Sequence, residues 1–334
     1  MSGALSLEPS YYDALRRLTL ELAGVRMGAD HAFLVETRLA GLARREGFAS
    51  LDAMIGELFA SGQTRLAVRI VSALVERDTH FNRDPASLDA MFEGAVEPLA
   101  AALQSGERAS EGSPRAANQM DILCYGCGSG QDVYSIAMRA LHWAEGRTAH
   151  GLPSPRVSVS GVDYPSQALE RARAGRFTHF EVQRGLSAAD MLRWFEPGSE
   201  AEGGAGSDWT VGAELKALTR FSEMHLLSGL DELSDYDIVT FRGSLAHYSA
   251  PAQVRVLRGL TRHLRPGGYL VLGSGEGLGE MRFGLESVPG QPTLYAKPVP
   301  PPEPVAPVGK QPNGRTDFGP ERRTRRRRAQ PGSH

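Results

Sequence analysis

From Met120 onward, short apolar runs alternate with amphipathic ones, and that alternation leaves few folds open. MDILCYG, RVSVSGVD, YDIVTFRG and GGYLVLG read as buried strands. Between them, VYSIAMRALHWAEG, PSQALERARAG and AQVRVLRGLTRHL place apolar residues at three- and four-residue spacing, the helical period. Strand, helix and strand in repeated succession is the pattern of βαβ units on a parallel sheet. The expected class is therefore α/β.

The flanking regions read differently. Residues 10–104 form an N-terminal helical domain, with YYDALRRLTLELAG, FLVETRLAGLARREG, SLDAMIGELFASG and TRLAVRIVSALVERD each carrying a helical apolar stripe and a Gly or Asp near its end. Polar residues 105–119 are a linker, and the α/β domain occupies 120–297. Within it, LSAADMLRWF, EPGSEAEGGAGSD and WTVGAELKALTRF interrupt the alternation, giving an inserted subdomain at about 178–218. Residues 298–334 hold nine of the 21 prolines and eight Lys/Arg against three acids, a tail of +5 within a chain of net charge −2. With a single aromatic, Phe318, it lacks the apolar surface to fold and reads as a disordered basic tail. Such a run suits an acidic partner, anionic lipid or nucleic acid. A solvated tail is the preferred reading, and nucleic acid is not expected, because no aromatic is interleaved with the arginines.

Composition narrows the class further. At 41% hydrophobic and 23% charged, the 334 residues are neither collagenous nor wholly disordered, and two cysteines are no disulfide scaffold. They point instead to a reducing compartment. No apolar run approaches the ~20 residues of a membrane helix, and MSGALSLEPSYYDALRR lacks a secretion signal. A soluble, cytoplasmic protein without stable membrane insertion is expected.

The chemistry concentrates at the strand ends. In YGCGSGQD, Gly126, Gly128 and Gly130 follow a strand and precede a helix, where glycine permits a sharp turn and close approach of a ligand to helix N–H groups. The spacing is G-x-G-x-G, not the dinucleotide G-x-G-x-x-G, and is the commoner form in nucleoside-binding methyltransferases. A tight strand–helix turn can also need glycine for geometry alone. Asp163 ends the second strand, a place from which a carboxylate can hold ribose hydroxyls; the other reading is a cap for the helix that follows. Cys124 and Cys127 form C-x-x-C, yet no second ligand pair accompanies them, and Cys124 falls inside the strand. Both read as small core residues, and no metal is expected.

From about Tyr11 to Lys297 these segments resemble, in order, the CheR-type chemotaxis receptor methyltransferases. FLVETRLAGLARREGF is similar to a helix and turn of that family's N-terminal domain, and ERDTHFNRDP to its T-x-F-F-R segment. YGCGSGQDVYSIAM resembles the S-T-G-E-E-P-Y-S-I-A-M loop, and VSGVDYPSQALERARAGRF the T-D-I-D stretch. DIVTFRGSLAHYS stands where the family has D-x-I-x-C-R-N-V-L-I-Y-F, and LRPGGYLVLGSGEGL where it has L-x-P-G-G-x-L-x-L-G-H-S-E-S. The resemblance implies a Rossmann-like S-adenosylmethionine-dependent methyltransferase domain, a small N-terminal all-helical domain and an inserted β-subdomain that docks on receptors. It implies S-adenosyl-L-methionine as cofactor, and as protein substrate the cytoplasmic domain of a chemotaxis-type receptor, methylated on glutamate.

Carried onto this chain, the resemblance places Thr79, Arg83, Gly126, Gly128, Gly130, Asp163, His225, Leu226, Arg242 and Gly243 around the cofactor, with Arg83 and His247 as the catalytic candidates. Arg83 is the residue suited to orient a carboxylate; its alternative is a surface ion pair with Asp84 or Glu76. His247 stands where the family has Tyr, as a hydrogen-bond donor or as a helix-end residue. Tyr134 and Tyr248 read as packing residues at the rim. Further departures are Arg77, His225 and Gly243 for Asn, Asn82 for Phe, Gln131 and Asp132 for Glu, Val133 for Pro, and S-G-E-G for H-S-E-S. They keep open a CheR-like regulatory or binding protein with weakened or lost turnover. A small-molecule methyltransferase fits less well, since the helical domain and the insert suit a protein substrate.

Removing residues 298–334 is expected to leave the melting temperature within about 2 °C, since the tail holds no core-forming residues. A larger fall in thermal unfolding would show that the tail packs.

Overall fold

A computed structural model describes residues 7–28, 32–75, 79–106, 118–198 and 208–300. Arg77, most of the 105–119 linker and the tail beyond Pro300 lie outside the described residues.

Four helices open the chain: α1 (Pro9–Ala23), α2 (Ala32–Arg45), α3 (Leu51–Ser61) and α4 (Thr64–Val75). Their ends follow local chemistry. Pro9 occupies the first turn of α1, and Gly24, in the left-handed region, returns its N–H to Leu20. Ser50 caps α3 by accepting from Ala53. Leu15, Leu39, Met54, Ile55 and Ile70 fill the core between these helices.

A longer helix follows as α5 (Pro85–Met91), a π turn (Phe92–Val96) and α6 (Glu97–Gln104). Pro98 has no N–H to give to Gly94, and its ring would crowd that carbonyl, so a wider turn just before it relieves the clash.

The α/β region comprises β1 (Gln119–Tyr125), α7 (Gln131–Ala149), β2 (Arg156–Asp163), α8 (Gln167–Ala174), β3 (Arg176–Thr178), α9 (His179–Gln183), α10 (Ala188–Trp194), β4 (Phe195–Pro197), β5 (Asp208–Val211), α11 (Ala213–Leu218), β6 (Thr219–Glu223), β7 (Tyr236–Phe241), α12 (Ala250–Arg262), β8 (Leu264–Leu272), β9 (Glu286–Ser287) and β10 (Leu294–Ala296). The main sheet has seven strands in the order β6-β2-β1-β7-β8-β10-β9. The first five are parallel, and β10 runs antiparallel to β8 and β9. The protein is thus α/β, as its alternation implies.

Side chains alternate across the sheet and build a core on each face. Met120, Ile122 and Cys124 of β1 join α7 and the α5–α6 helix on one side. Leu123 and Tyr125 join Val239, Phe241 and α12 on the other, together with Ala23 and Val25 from the end of α1. β1 lies between β2 and β7, so the crossovers leave it in opposite directions. That switch point opens a crevice at the carboxyl ends of β1 and β7.

The segment expected as an insert carries a second, three-stranded antiparallel sheet in the order β3-β5-β4. Its first strand begins at Arg176, and α11 packs on α7, β2 and β6 of the main fold. Phe81 ties this small sheet to the loop before α5. Its ring centre lies 4.9 Å from Phe177 and 5.4 Å from Phe195, both edge-on. Gly185, at φ +98°, lets the chain pass so close that a Cβ there would sit 1.9 Å from the Phe81 carbonyl oxygen.

Gly185→Ala combines that clash with a conformation alanine avoids, and is expected to cost about 3 kcal/mol or more. Thermal unfolding followed by circular dichroism should show a fall of several degrees. A melting temperature unchanged within a degree would mean that the loop relaxes freely.

Candidate active site

At the switch point a cleft of about 700 Å³, including its open mouth, lies between the ends of β1, β2 and β7 and the helical region. Gly126, Gly128 and Asp163 form one wall, Thr79 and Arg83 another, and Val25, Leu226, Phe241 and Tyr248 supply apolar surface.

The glycine turn is hung from the neighbouring strand. The N–H groups of Gly126 and Cys127 donate to the Val162 carbonyl at 2.9 and 3.1 Å, and that of Gly128 donates to Asp163 Oδ2 at 2.6 Å. The three glycines serve different ends. A Cβ on Gly126 or Gly128 would meet only one side-chain atom, 3.8 Å away on Leu226 or Thr79, because both border the cleft. A Cβ on Gly130 would lie 2.9 Å from Ala172 and 3.1 Å from Phe221, so this glycine serves packing and the start of α7. Two positive-φ glycines open to the cleft, a carboxylate at the next strand end and apolar walls fit a bound nucleoside, and hence S-adenosylmethionine.

Asp163 does not cap α8. Ser166 does, accepting from Leu169 at 3.2 Å, while Asp163 Oδ1 accepts from the Tyr164 N–H at 2.7 Å. The carboxylate therefore stands at the cleft wall, aimed by two backbone donors.

Arg83 and Arg242 share one acid. Arg242 is buried to 1% side-chain exposure, and its Nη2 lies 3.3 Å from Asp132 Oδ1. It also donates to Ser87 Oγ at 3.1 Å and to the Arg83 carbonyl. Arg83, at 22% exposure, donates from Nη2 to the Arg242 carbonyl at 2.6 Å and to Asp132 Oδ2 at 3.4 Å. The surface pairing with Asp84 is not made. Asp84 Oδ2 and Oδ1 accept instead from the Ser274 N–H and hydroxyl at 2.7 and 2.6 Å. Burial pushes the Asp84 carboxyl upward, but those hydrogen bonds outweigh it and hold the group below its ordinary range.

The remaining expected site residues are placed less directly. Thr79, Arg83, Gly126, Gly128, Asp163 and Leu226 come together on the cleft; among the described residues, its lining does not include Gly130, His225, Arg242, Gly243 or His247. His225 packs edge-on to Tyr164 at 5.0 Å, and burial lowers its pKa. Its ring Nδ1 faces the Ser228 N–H at 3.3 Å. His247 is exposed on a short turn, whereas its neighbour Tyr248 is buried and lines the cleft. Tyr134 is a core residue whose hydroxyl donates to the Ala172 carbonyl at 2.7 Å. Burial pushes the Cys124 thiol up to about 12 and Cys127 well above its ordinary value, so both stay protonated. No group of three metal-ligating side chains occurs among the described residues.

Two acids were missed by the sequence reading except as departures or unremarked matches. Asp132 is the counter-ion just described. Glu276 accepts from the N–H groups of Gly243, Leu245 and Gly273, each at 2.8 Å, and so joins the loops after β7 and β8. The one signal for Glu276 was a lone acid among glycines in SGEG.

A family model described as CheR methyltransferase, SAM binding domain, matches residues 77–293. The chain is similar to the chemotaxis protein methyltransferase of Vibrio parahaemolyticus, 26% identical over 296 residues that cover 88% of this chain and 98% of the relative. It is also similar to chemotaxis protein methyltransferase 1 of Pseudomonas aeruginosa, 28% identical over 273 residues, 81% of this chain and 91% of that one.

Asp163→Ala is expected to weaken S-adenosylmethionine binding by about 2–4 kcal/mol, roughly 30- to 1,000-fold in Kd. Calorimetric titration reads this directly. An unchanged Kd would mean that Asp163 serves only to hold Gly128 and Tyr164.

Proposed function

The chain belongs to the CheR methyltransferase family, and from that premise we propose that it transfers a methyl group from S-adenosylmethionine to glutamate side chains of chemotaxis-type receptors. The observation that carries the substrate reading is the charge around Arg83. Two guanidinium groups share the Asp132 carboxylate, Arg83 at the cleft wall and Arg242 buried beneath it. Among the described residues, Arg83 Nη1 and Nε have no hydrogen-bond partner. A substrate carboxylate can accept from one of these donors, and the positive charge of the guanidinium favours an anion there.

Glutamate, with an ordinary pKa of about 4.3, is already ionised at neutral pH and needs no general base. When bound, S-adenosylmethionine supplies an activated methyl on a cationic sulfur. The chain's task is then placement. Gly126, Gly128 and Asp163 face the nucleoside, and Val25, Leu226, Phe241 and Tyr248 keep water from the walls. Arg83 turns the acceptor oxygen toward the methyl, and orientation of this kind is worth orders of magnitude in rate.

A second groove supports a protein substrate. It shares Ser72 and Ser166 with the cleft and carries Arg38, Arg45, Arg65 and Arg69, beside Glu170 and Glu223. Arg69 pairs with Glu46, and the arginines of this groove together outnumber its two acids, which suits an acidic segment of protein. Receptor cytoplasmic domains as substrates would place the reaction in the cytoplasm; no helix among the described residues is long and apolar enough to cross a membrane.

Transfer of labelled methyl from S-adenosylmethionine to a receptor cytoplasmic fragment tests the proposal. Arg83→Ala should abolish transfer while cofactor Kd stays within about threefold, and Arg83→Lys should rescue poorly because a point charge cannot reproduce the fork. Full activity of Arg83→Ala would remove Arg83 from the mechanism. No transfer by the wild type, with no calorimetric binding of the cofactor, would favour a regulatory protein.

A further inference from the structure

The turn that follows β8 reaches Arg83 from both ends. It spans Gly273–Glu276 and is closed by the Glu276 N–H, which donates to the Gly273 carbonyl at 3.0 Å. Within it, Ser274 gives its N–H and its hydroxyl to Asp84 at 2.7 and 2.6 Å. Asp84 stands at the cap position of α5, yet its side chain makes no cap bond there. It adopts φ +51°, a conformation that non-glycine residues seldom take. The bonds from Ser274 thus hold the backbone beside Arg83 in place.

The far end of Arg83 rests on one peptide group, that between Arg242 and Gly243. Its carbonyl accepts from Arg83 Nη2 at 2.6 Å, and its N–H donates to Glu276 Oε2 at 2.8 Å. Carboxylate, peptide and guanidinium form a single chain of hydrogen bonds in which each polarises the next. Glu276 Oε2 also accepts from the Gly273 N–H and Oε1 from the Leu245 N–H, both at 2.8 Å. An ionised acceptor makes each of these bonds stronger than a neutral one would. Gly273 leaves room for this reach. A Cβ there would lie 2.7 Å from Glu276 Oε2 and 2.8 Å from the Gly243 nitrogen, in the path of the bond. Ser244, between two of the amides that Glu276 holds, lines the cleft.

We infer that Glu276 is a positioning residue for methyl transfer: by orienting the Arg242–Gly243 peptide and the loop that carries Ser244, it fixes the place of the Arg83 guanidinium at the cleft wall. The inference rests on the reading that this cleft transfers methyl groups with Arg83 at its wall. It assigns a task to an acid that, among the described residues, is not part of the cleft lining.

The test uses the full chain and measures kcat with S-adenosylmethionine and a receptor cytoplasmic fragment, thermal unfolding, and hydrogen exchange at single amides. Glu276→Gln keeps the size of the side chain, removes its charge and turns an NH2 group toward N–H donors. At a temperature where the variant is fully folded, kcat should fall at least about 30-fold. Exchange at the Gly243 and Leu245 amides should quicken at least about tenfold. Gly273→Ala keeps the carboxylate but displaces it from the Gly243 N–H. Here kcat should fall at least about tenfold, again with faster exchange at Gly243. Should Glu276→Gln fail to fold, Gly273→Ala decides alone. Wild-type kcat in either folded variant overturns the inference, as does unchanged exchange at Gly243 in Glu276→Gln. A lower melting temperature with kcat retained would make Glu276 a structural tie only. An active Arg83→Ala would sink the reading of the cleft and this inference with it. An inactive Arg83→Ala beside fully active Glu276→Gln and Gly273→Ala would sink this inference alone.

Discussion

A guanidinium taken almost wholly out of water must be neutralised and hydrogen-bonded where it lies, and Arg242 imposes that demand at the centre of this protein. Its partners come from separate parts of the chain: Asp132 at the start of α7, Ser87 in α5 and the carbonyl of Arg83 before α5. The hydrogen bonds of its Nη1 and Nη2 bring the loop before α5, the start of α7 and the end of β7 to one point. Replacing such a cluster by apolar residues is often neutral for stability. What the ions contribute here is direction, because a planar fork is satisfied only in a narrow set of geometries.

Around that point the loops at the carboxyl ends of the strands are tied by carboxylates that accept backbone N–H groups. Asp163 joins the glycine turn to the end of β2, Glu276 joins the loops after β7 and β8, and Asp84 joins the latter to the Arg83 segment. Loops are ordinarily the least fixed parts of a fold. Here each is anchored by charge-assisted bonds to a neighbour, so a site built from loops inherits the rigidity of the sheet below it. The aromatic contacts of Phe81 with Phe177 and Phe195 extend the same anchoring to the small second sheet.

Gly126, Gly128 and Asp163 line one wall of the cleft, and Thr79 and Arg83 line another. Arg242, although matched to the family as a cofactor residue, lies beneath the wall and serves Arg83. His247 likewise stands at the matched position, but the turn that carries it directs the neighbouring Tyr248 inward.

The sequence alone determined the α/β class, the helical N-terminal region, four of the strands and the glycine turn, because these follow from periodicity and local backbone preference, which are short-range. It also identified Asp163 as a strand-end acid suited to ribose hydroxyls, with a helix cap as the other reading; the fold gives that cap to Ser166. The partners of Arg83 were beyond its reach. Asp132 stands 49 residues away, Arg242 159 and the Gly185 carbonyl that steadies Asn82 103. No local rule selects one acid among the 39 in the chain to neutralise two particular arginines. That choice is made by the parallel pairing of β1 and β7 at the switch point, which sets the first turn of α7 beside the end of β7 and brings their charges within a few ångströms.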